Sequence, residues 1–146
     1  MTLQRVGLDP LVPQYLKLGA SKHSMEYSAA PSERIPFPDA HFDIVTCLNA
    51  LDHVDDFDTT VKEIKRVVKP GGLFLLSTEI DHPPTFTEPI TLTVETLRAF
   101  GSEFAVSWYT LIGTPDDHNL HKAVMDRAPP HQPGRPGIYV ARMERR

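Results

Sequence analysis

One segment constrains the fold of this chain more than any other. FDIVTCL (42–48) is apolar at both alternating sets of positions, as is typical of a strand covered on both faces. DDFDTTVKEIKRVVKPGG (55–72) has the periodicity of a helix and ends in a glycine pair. LFLLST (73–78) is a second apolar run. Strand, helix, glycine turn and strand form a βαβ unit, which predicts two parallel strands joined by a right-handed crossover.

The helix in this unit has clear start and stop signals. Asp58 is the predicted N-cap, since further acids around it favour the positive end of the helix dipole. The inward face is apolar and contains Val61, Ile64 and Val68. The outward face is basic and is predicted to be solvated; it contains Lys62, Lys65 and Arg66.

The rest of the chain carries weaker signals for further elements. A helix is predicted at 14–18 and ends at Gly19. A second helix is predicted at 94–100 with Thr93 as its N-cap, and a third is predicted as an insert at 118–127. Leu97, Phe100 and Phe104 are expected to face inward. Additional strands are predicted at 5–9, 24–29, 105–113 and 137–143.

Composition limits the class of protein. The 146 residues, 40% hydrophobic and 23% charged, fit a single domain over 1–146. A net charge of −4 without a Lys/Arg block argues against nucleic acid as a partner. No apolar run approaches the roughly 18 residues of a membrane span. The one cysteine, Cys47, excludes an internal disulfide and is expected to be inert within its apolar strand, so a reducing, cytoplasmic location is expected.

The opening RVGLD (5–9) reads as a strand that ends in a carboxylate. An acid at the end of such a strand in nucleotide-binding folds often binds a ribose hydroxyl. It normally follows a glycine-rich phosphate-binding turn by roughly 20 residues. Only eight residues precede Asp9, and none of them forms that turn.

Two stretches carry a resemblance to a known family. FPDAHFDIVTCLNALDHVDD (37–56) and KEIKRVVKPGGLFLLS (62–77) are similar to the second half of class I S-adenosylmethionine-dependent methyltransferases, in particular the type 11-like subgroup. The match is close over about residues 32–78. It implies a three-layer αβα, Rossmann-like α/β fold whose sheet is mostly parallel with an antiparallel C-terminal strand.

The resemblance also implies roles for individual residues. Asp9 matches the acid that holds both ribose hydroxyls of the cofactor, S-adenosyl-L-methionine. The segment that borders the adenine is matched by Ser32, Glu33 and Ile35, although many members carry an Asp where this chain has Pro31 or Ser32. The strand end beneath the methionine portion is matched by Leu48 and Asn49. His53 matches a histidine common in the subgroup and is a candidate general base.

The family's first strand and its D-x-G-x-G-x-G loop have no counterpart in the sequence, so we expect a truncated methyltransferase-like domain that lacks the N-terminal βα unit. The sheet would then have a vacant slot. Three outcomes are open: the opening strand slides in beside FDIVTCL, a second copy supplies a strand through an exposed sheet edge as a homodimer, or the natural protein has a longer N-terminus.

Two functions compete at this stage. The first is methyl transfer from S-adenosylmethionine to a small-molecule acceptor. The second is a non-catalytic remnant or a dimerising binding module that does not hold the cofactor. A metal role has weaker support, because the acids around His53 match no strong ligand pattern and the pair His118 and His121 fits a polar helix start as well.

Overall fold

The computed structural model describes residues 4–114, 120–126 and 129–146. Its strands are β1 Val6–Leu8, β2 Glu26–Ser28, β3 Phe42–Leu48, β4 Val68–Ile80, β5 Phe104–Gly113 and β6 Gly137–Arg145. Its α-helices are α1 Val12–Lys17, α2 Phe57–Val67, α3 Val94–Leu97 and α4 Leu120–Met125. Short 3₁₀ turns lie at Ala20–Lys22, Ser32–Arg34 and Arg98–Phe100.

Four strands form the main sheet in the order β3-β4-β6-β5. β3 and β4 are parallel, with Ile44 opposite Leu73, as the βαβ pattern predicted. β6 is antiparallel to both β4 and β5. Three strands therefore run in one direction and the C-terminal strand runs against them, which confirms the predicted sheet.

Helices cover both faces of this sheet. α2, α3 and the turn that follows α3 pack on one face, around a core that includes Phe74, Leu76, Phe100 and Phe104. α4 packs through Ala123 against Ile112 and Ile138. Neighbouring residues of a strand point to opposite faces, and the β6 residues Tyr139 and Ala141 belong to the first core. Ile138 thus lies on the other face, and the layers are helix, sheet and helix.

The start of α2 differs from the sequence prediction. Asp56, not Asp58, is the N-cap: its carboxylate accepts hydrogen bonds from the backbone N–H and the hydroxyl of Thr59, at 3.0 and 2.8 Å. Asp58 lies inside the first turn, where its charge still favours the helix dipole. The N-cap is Asp56 rather than the predicted Asp58 because Asp56 is the last residue with extended backbone before the helix begins.

The end of α2 and its outer face also differ from expectation. The helix ends at Val67, so Val68, although buried, is the first residue of β4. Lys62 is exposed, as predicted, but Lys65 and Arg66 are half-buried. Lys65 Nζ lies 2.9 Å from Ser102 Oγ and 3.5 Å from Glu103 Oε1. The prediction of a solvated face was wrong there because segments distant in the sequence pack over it, Ser102 and Glu103 on Lys65 and the loop at 35–39 on Arg66.

β1 does not lie beside β3, so the expectation that the opening strand slides into the vacant slot of the sheet was wrong. β1 pairs in parallel with β2, Val6 opposite Glu26 and Leu8 opposite Ser28, as a separate two-stranded unit. Within the described residues, β3 pairs with β4 alone. Ile44 and Leu48, on one face of β3, are 55% and 64% exposed, so the expectation that both faces of β3 are covered was also wrong.

The predictions for the C-terminal half are confirmed where the structure describes it. Thr93 caps α3, and Leu97, Phe100 and Phe104 are buried. The two last strands form near the predicted bounds, and α4 forms within the predicted insert. His118 and the side chain of His121 lie outside the described residues. Among the helices that are described, none has the length and apolar character that crossing a bilayer requires.

Candidate functional site

A cavity of about 760 Å³ lies between β1 and β3; it runs along β3 from Phe42 to Leu48 and reaches the loops that follow both strands. β1 ends at Leu8 and β3 ends at Leu48, and the loops that follow each strand line the cavity. Cavities of this size are typical of small-molecule sites. In open α/β sheets, ligands bind outside the carboxyl ends of the strands, so the position of the cavity matches that of a ligand site.

All seven residues singled out from the sequence line this one cavity: Asp9, Ser32, Glu33, Ile35, Leu48, Asn49 and His53. They come from four separate loops and strand ends. The resemblance placed them by position in the chain, and the fold brings them together in space.

Asp9 lies directly after β1 and is held by its own loop. Its Oδ1 accepts a hydrogen bond from the backbone N–H of Leu11 at 2.7 Å, and its Oδ2 has a long contact of 3.5 Å with the hydroxyl of Tyr15. A carboxylate oxygen can accept more than one hydrogen bond. Oδ2 therefore retains capacity for a ligand hydroxyl, while Oδ1 fixes the orientation of the side chain.

Glu33 borders the cavity, but its carboxylate is largely engaged by the protein. Oε1 accepts the backbone N–H groups of Asp55 and Asp56 at 2.8 and 3.0 Å. Burial would raise the pKa of Glu33, but the hydrogen bonds from these backbone groups and from Ser32 outweigh it, so the pKa is lowered. Ser32 Oγ also lies 3.0 Å from Thr60 Oγ1. Both residues anchor the loop before α2 that forms one wall.

Ile35 belongs to a loop that Arg66 fastens to α2. The Arg66 guanidinium donates to the carbonyl oxygens of Ile35 and Phe37 and to the carboxylate of Asp39, at 2.7 to 2.9 Å. Glu63 accepts from Arg66 through both oxygens and also from the backbone N–H of Ile35. Sequence reasoning missed this role, since Arg66 read as a solvated side chain; only the folded loop shows its partners.

The end of β3 supplies the opposite wall. Asn49 has left-handed backbone (φ 50°), a region that Asn adopts more readily than most residues. Its N–H donates to the carbonyl of Ser77 at 2.7 Å, which ties the turn to β4. Burial raises the pKa of Cys47, one residue before Leu48, to about 12, so its thiol stays protonated at neutral pH.

His53 lies where the cavity meets the loop after β4. Its Nδ1 is 2.9 Å from the carbonyl oxygen of Thr87, so Nδ1 carries a proton that it donates, and in the neutral ring Nε2 carries the lone pair. Nε2 faces Asp52 Oδ1 at 3.8 Å and Glu88 Oε1 at 4.0 Å. Burial raises the pKa of Asp52. Thr87 and Glu88 carried no signal in the sequence, because they lie in a proline-rich loop without periodicity.

The described residues fit the nucleoside half of the implied cofactor. A carboxylate at the end of β1 suits a ribose diol. The apolar side chains around it include Leu8, Pro10 and Leu11. The lining residues include no glycine, so at the other end of the cavity no part of the described chain offers the close backbone approach that a glycine-rich turn gives.

An open, mostly parallel sheet with a ligand-sized cavity at its carboxyl edge defines the class of nucleotide-binding α/β proteins. Comparison with known proteins shows which proteins of this class the chain resembles. Residues 5–76 match the family model described as a methyltransferase domain. A ubiquinone/menaquinone biosynthesis C-methyltransferase, UbiE, of Shewanella frigidimarina is 40% identical over 79 residues. That alignment covers 49% of this chain and 32% of the relative, so the match spans about a third of the length of that protein.

Solved structures show the same fold over nearly the whole chain. The N-methyltransferase NodS from Bradyrhizobium japonicum, in complex with S-adenosyl-L-homocysteine, has a TM-score of 0.67 at 9% identity and covers 97% of this chain and 66% of that one. The [4+2]-cyclase SpnF has a TM-score of 0.68 at 16% identity, with the same two coverages. These identities bear on fold alone. With the family match over residues 5–76, they confirm that the chain resembles the class I S-adenosylmethionine-dependent methyltransferases, in sequence over about half of its length and in fold over nearly all of it.

Proposed function

We propose that this chain binds S-adenosylmethionine in the cavity between β1 and β3 and takes part in methyl transfer to a small-molecule acceptor. The observation that carries the proposal is that all seven residues matched to the family line this single cavity. The cofactor would supply an electrophilic methyl group on a sulfonium. The residues of this chain would bind the cofactor and position it against the acceptor.

The proposed roles follow from where each group lies. Asp9 Oδ2 accepts ribose hydroxyls, and the side chain is preoriented because Leu11 N–H holds Oδ1. The loop that contains Ile35, fixed by Arg66, borders the adenine. Leu48 and Asn49, at the end of β3, would border the methionine portion of the cofactor. Such positioning lowers the barrier by aligning the reactants.

His53 is the candidate proton acceptor of the site. The hydrogen bond from Nδ1 to the Thr87 carbonyl leaves the Nε2 lone pair available. A neutral imidazole with a fixed tautomer can remove a proton from an acceptor whose nucleophilic atom carries one. An acceptor that attacks without losing a proton would not need this role.

A small-molecule acceptor is supported by the size of the cavity and by the absence of a Lys/Arg-rich run in the sequence. The name of the Shewanella relative places that protein in quinone biosynthesis. Fold alone would not decide the reaction, because unrelated activities share this fold.

The decisive experiment is calorimetric titration of the purified chain with S-adenosylhomocysteine. We expect binding near micromolar concentrations. Asp9→Asn should weaken it by about tenfold, because it removes a charged acceptor while keeping an oxygen for the Leu11 N–H. Asp58→Asn is the matched control, since Asp58 is exposed and outside the cavity, and it should leave binding unchanged.

Absence of binding at millimolar ligand would support the alternative function. The chain would then be a non-catalytic methyltransferase-like module that keeps the sheet without the cofactor. Equal weakening in the Asp9 and Asp58 variants would contradict the ribose role of Asp9.

A further inference from the structure

A compact group of metal-ligating side chains lies at the carboxyl edge of β3 and β4, beside the cavity. Asp52 Oδ1, His53 Nε2 and a carboxylate oxygen of Glu88 all lie within 4.8 Å of one another. Asp52 and His53 follow β3, and Glu88 comes from the loop after β4. The two loops converge because β3 and β4 are parallel neighbours.

The central observation is a buried oxygen without a partner. Asp52 is 4% exposed, and its Oδ1 has no hydrogen-bond partner among the described residues. Leaving a buried carboxylate oxygen unsatisfied is unfavourable. Oδ1 faces His53 Nε2 at 3.8 Å, which is beyond hydrogen-bond distance.

The other two groups are also oriented towards this gap. His53 donates its Nδ1 proton to the Thr87 carbonyl, which is the arrangement found for most metal-bound histidines, and presents the Nε2 lone pair. Thr85 Oγ1 donates to Glu88 Oε2 at 3.3 Å, while Oε1 lies 4.0 Å from His53 Nε2. With a neutral His53 ring, Nε2 and the two carboxylate oxygens all present lone pairs to one another.

We propose that Asp52, His53 and Glu88 form a binding site for one divalent transition-metal ion such as Zn²⁺ or Mn²⁺. Two ligands each about 2.1 Å from a tetrahedral ion are about 3.4 Å apart. The observed spacings, 3.8 and 4.0 Å from His53 Nε2 and all within 4.8 Å, exceed that distance by about an ångström or less at two of the three pairs, so ion binding would draw the three groups together. The imidazole nitrogen favours Zn²⁺, and the two carboxylates also suit Mn²⁺, whereas Mg²⁺ and Ca²⁺ prefer all-oxygen sites.

The site is accessible and leaves positions for a further ligand. His53 lines the cavity, so an ion can enter from it, and three protein ligands leave at least one position open for water or an acceptor oxygen. A bound ion occupies the same Nε2 lone pair that proton transfer would use. In the metal-loaded protein, His53 is therefore a ligand rather than a base.

The test is calorimetric titration of chelator-treated protein with ZnCl₂ and, separately, MnCl₂ and MgCl₂. We expect one equivalent of Zn²⁺ or Mn²⁺ to bind and Mg²⁺ to bind more weakly. His53→Gln and Glu88→Gln should each lower the affinity by about tenfold or more. His23→Gln is the matched control, because His23 is an exposed histidine just before β2, outside the site.

A second readout guards against a folding defect in a variant. Co²⁺ bound by the wild-type protein should give visible absorption bands that His53→Gln changes or abolishes, with circular dichroism showing that the fold is intact. No stoichiometric binding, or unchanged binding in both site variants, would overturn the proposal. So would tighter binding of Mg²⁺ than of Zn²⁺. No cofactor is present in these titrations, so their failure is distinguishable from failure of the methyl-transfer proposal.

Discussion

Arg66 connects α2 to the loop that forms one wall of the cavity. Its guanidinium makes two hydrogen bonds to Glu63 and reaches the carbonyl oxygens of Ile35 and Phe37. Five donors in a planar fork can serve these partners at once, whereas a lysine ammonium cannot reproduce the geometry. A residue that reads from the sequence as surface charge thus holds a functional loop in place.

Arg66→Lys is expected to lower the free energy of unfolding by about 1–2 kcal/mol, because bidentate and carbonyl hydrogen bonds are lost. Urea denaturation measures the change. Arg98→Lys is the matched control: Arg98 also pairs with a glutamate three residues away, but both side chains are 74% exposed, so little change is expected. Equal losses in the two variants would contradict the anchoring role of Arg66.

The same pair predicts a pH dependence. The hydrogen bond from Arg66 lowers the pKa of Glu63 below its ordinary value of 4.5. A carboxylate with a lowered folded-state pKa stabilises the protein fully above the unfolded value and loses this contribution as pH falls through the folded value. The stability difference between wild type and Glu63→Gln should therefore shrink below about pH 4.5. Urea midpoints across this range measure it, and a constant difference would contradict the prediction.

At the scale of elements, α2 shows how a cap is chosen. Asp56 and Asp58 both precede or begin the helix, and the sequence alone favoured Asp58. The backbone before the helix decides which aspartate is the N-cap, because Glu33 accepts hydrogen bonds from the N–H groups of Asp55 and Asp56 and fixes where the helix can start. A residue distant in sequence therefore sets the register of the cap.

Asp56→Ala should lower the free energy of unfolding by about 1 kcal/mol, since the hydrogen bonds to Thr59 are lost. Asp58→Ala should have a smaller effect, a few tenths of a kcal/mol from the helix dipole. Thermal or urea unfolding of the pair compares them directly. A larger loss of unfolding free energy in the Asp58 variant would contradict Asp56 as the N-cap and support Asp58 instead.

At the scale of the whole molecule, the sheet is discontinuous. β1 and β2 form one unit and the other four strands form another. Exposed strand edges with apolar side chains tend to pair with other chains. The homodimer expected from the sequence therefore stays a prediction, with the edge of β3 as its proposed contact.

Sedimentation velocity should show concentration-dependent self-association of the wild-type chain. Ile44→Lys and Leu48→Lys should reduce it, because charged side chains on an edge strand oppose pairing. Leu18→Lys serves as the control, since Leu18 is 85% exposed but follows α1, away from β3. A monomer at all concentrations, or equal effects of all three changes, would contradict an interface on β3.

The sequence by itself determined the elements whose signals are local. The βαβ unit, the Thr93 cap and the final antiparallel strands follow from hydrophobic periodicity, capping residues and glycine turns, which act over a few residues. The resemblance, which is close over residues 32–78 and extends loosely to the opening strand, also identified seven residues that prove to share one cavity.

Tertiary structure alone decided how distant segments meet. The pairing of β1 with β2, the burial of Arg66 and the approach of Glu88 to His53 all join parts of the chain that are far apart in sequence. No local pattern encodes such contacts, because they arise from which loops the parallel strands bring to the same edge of the sheet. For this reason residues of the cavity wall could be predicted from the sequence, whereas the convergence of Asp52, His53 and Glu88 is visible only in the folded structure.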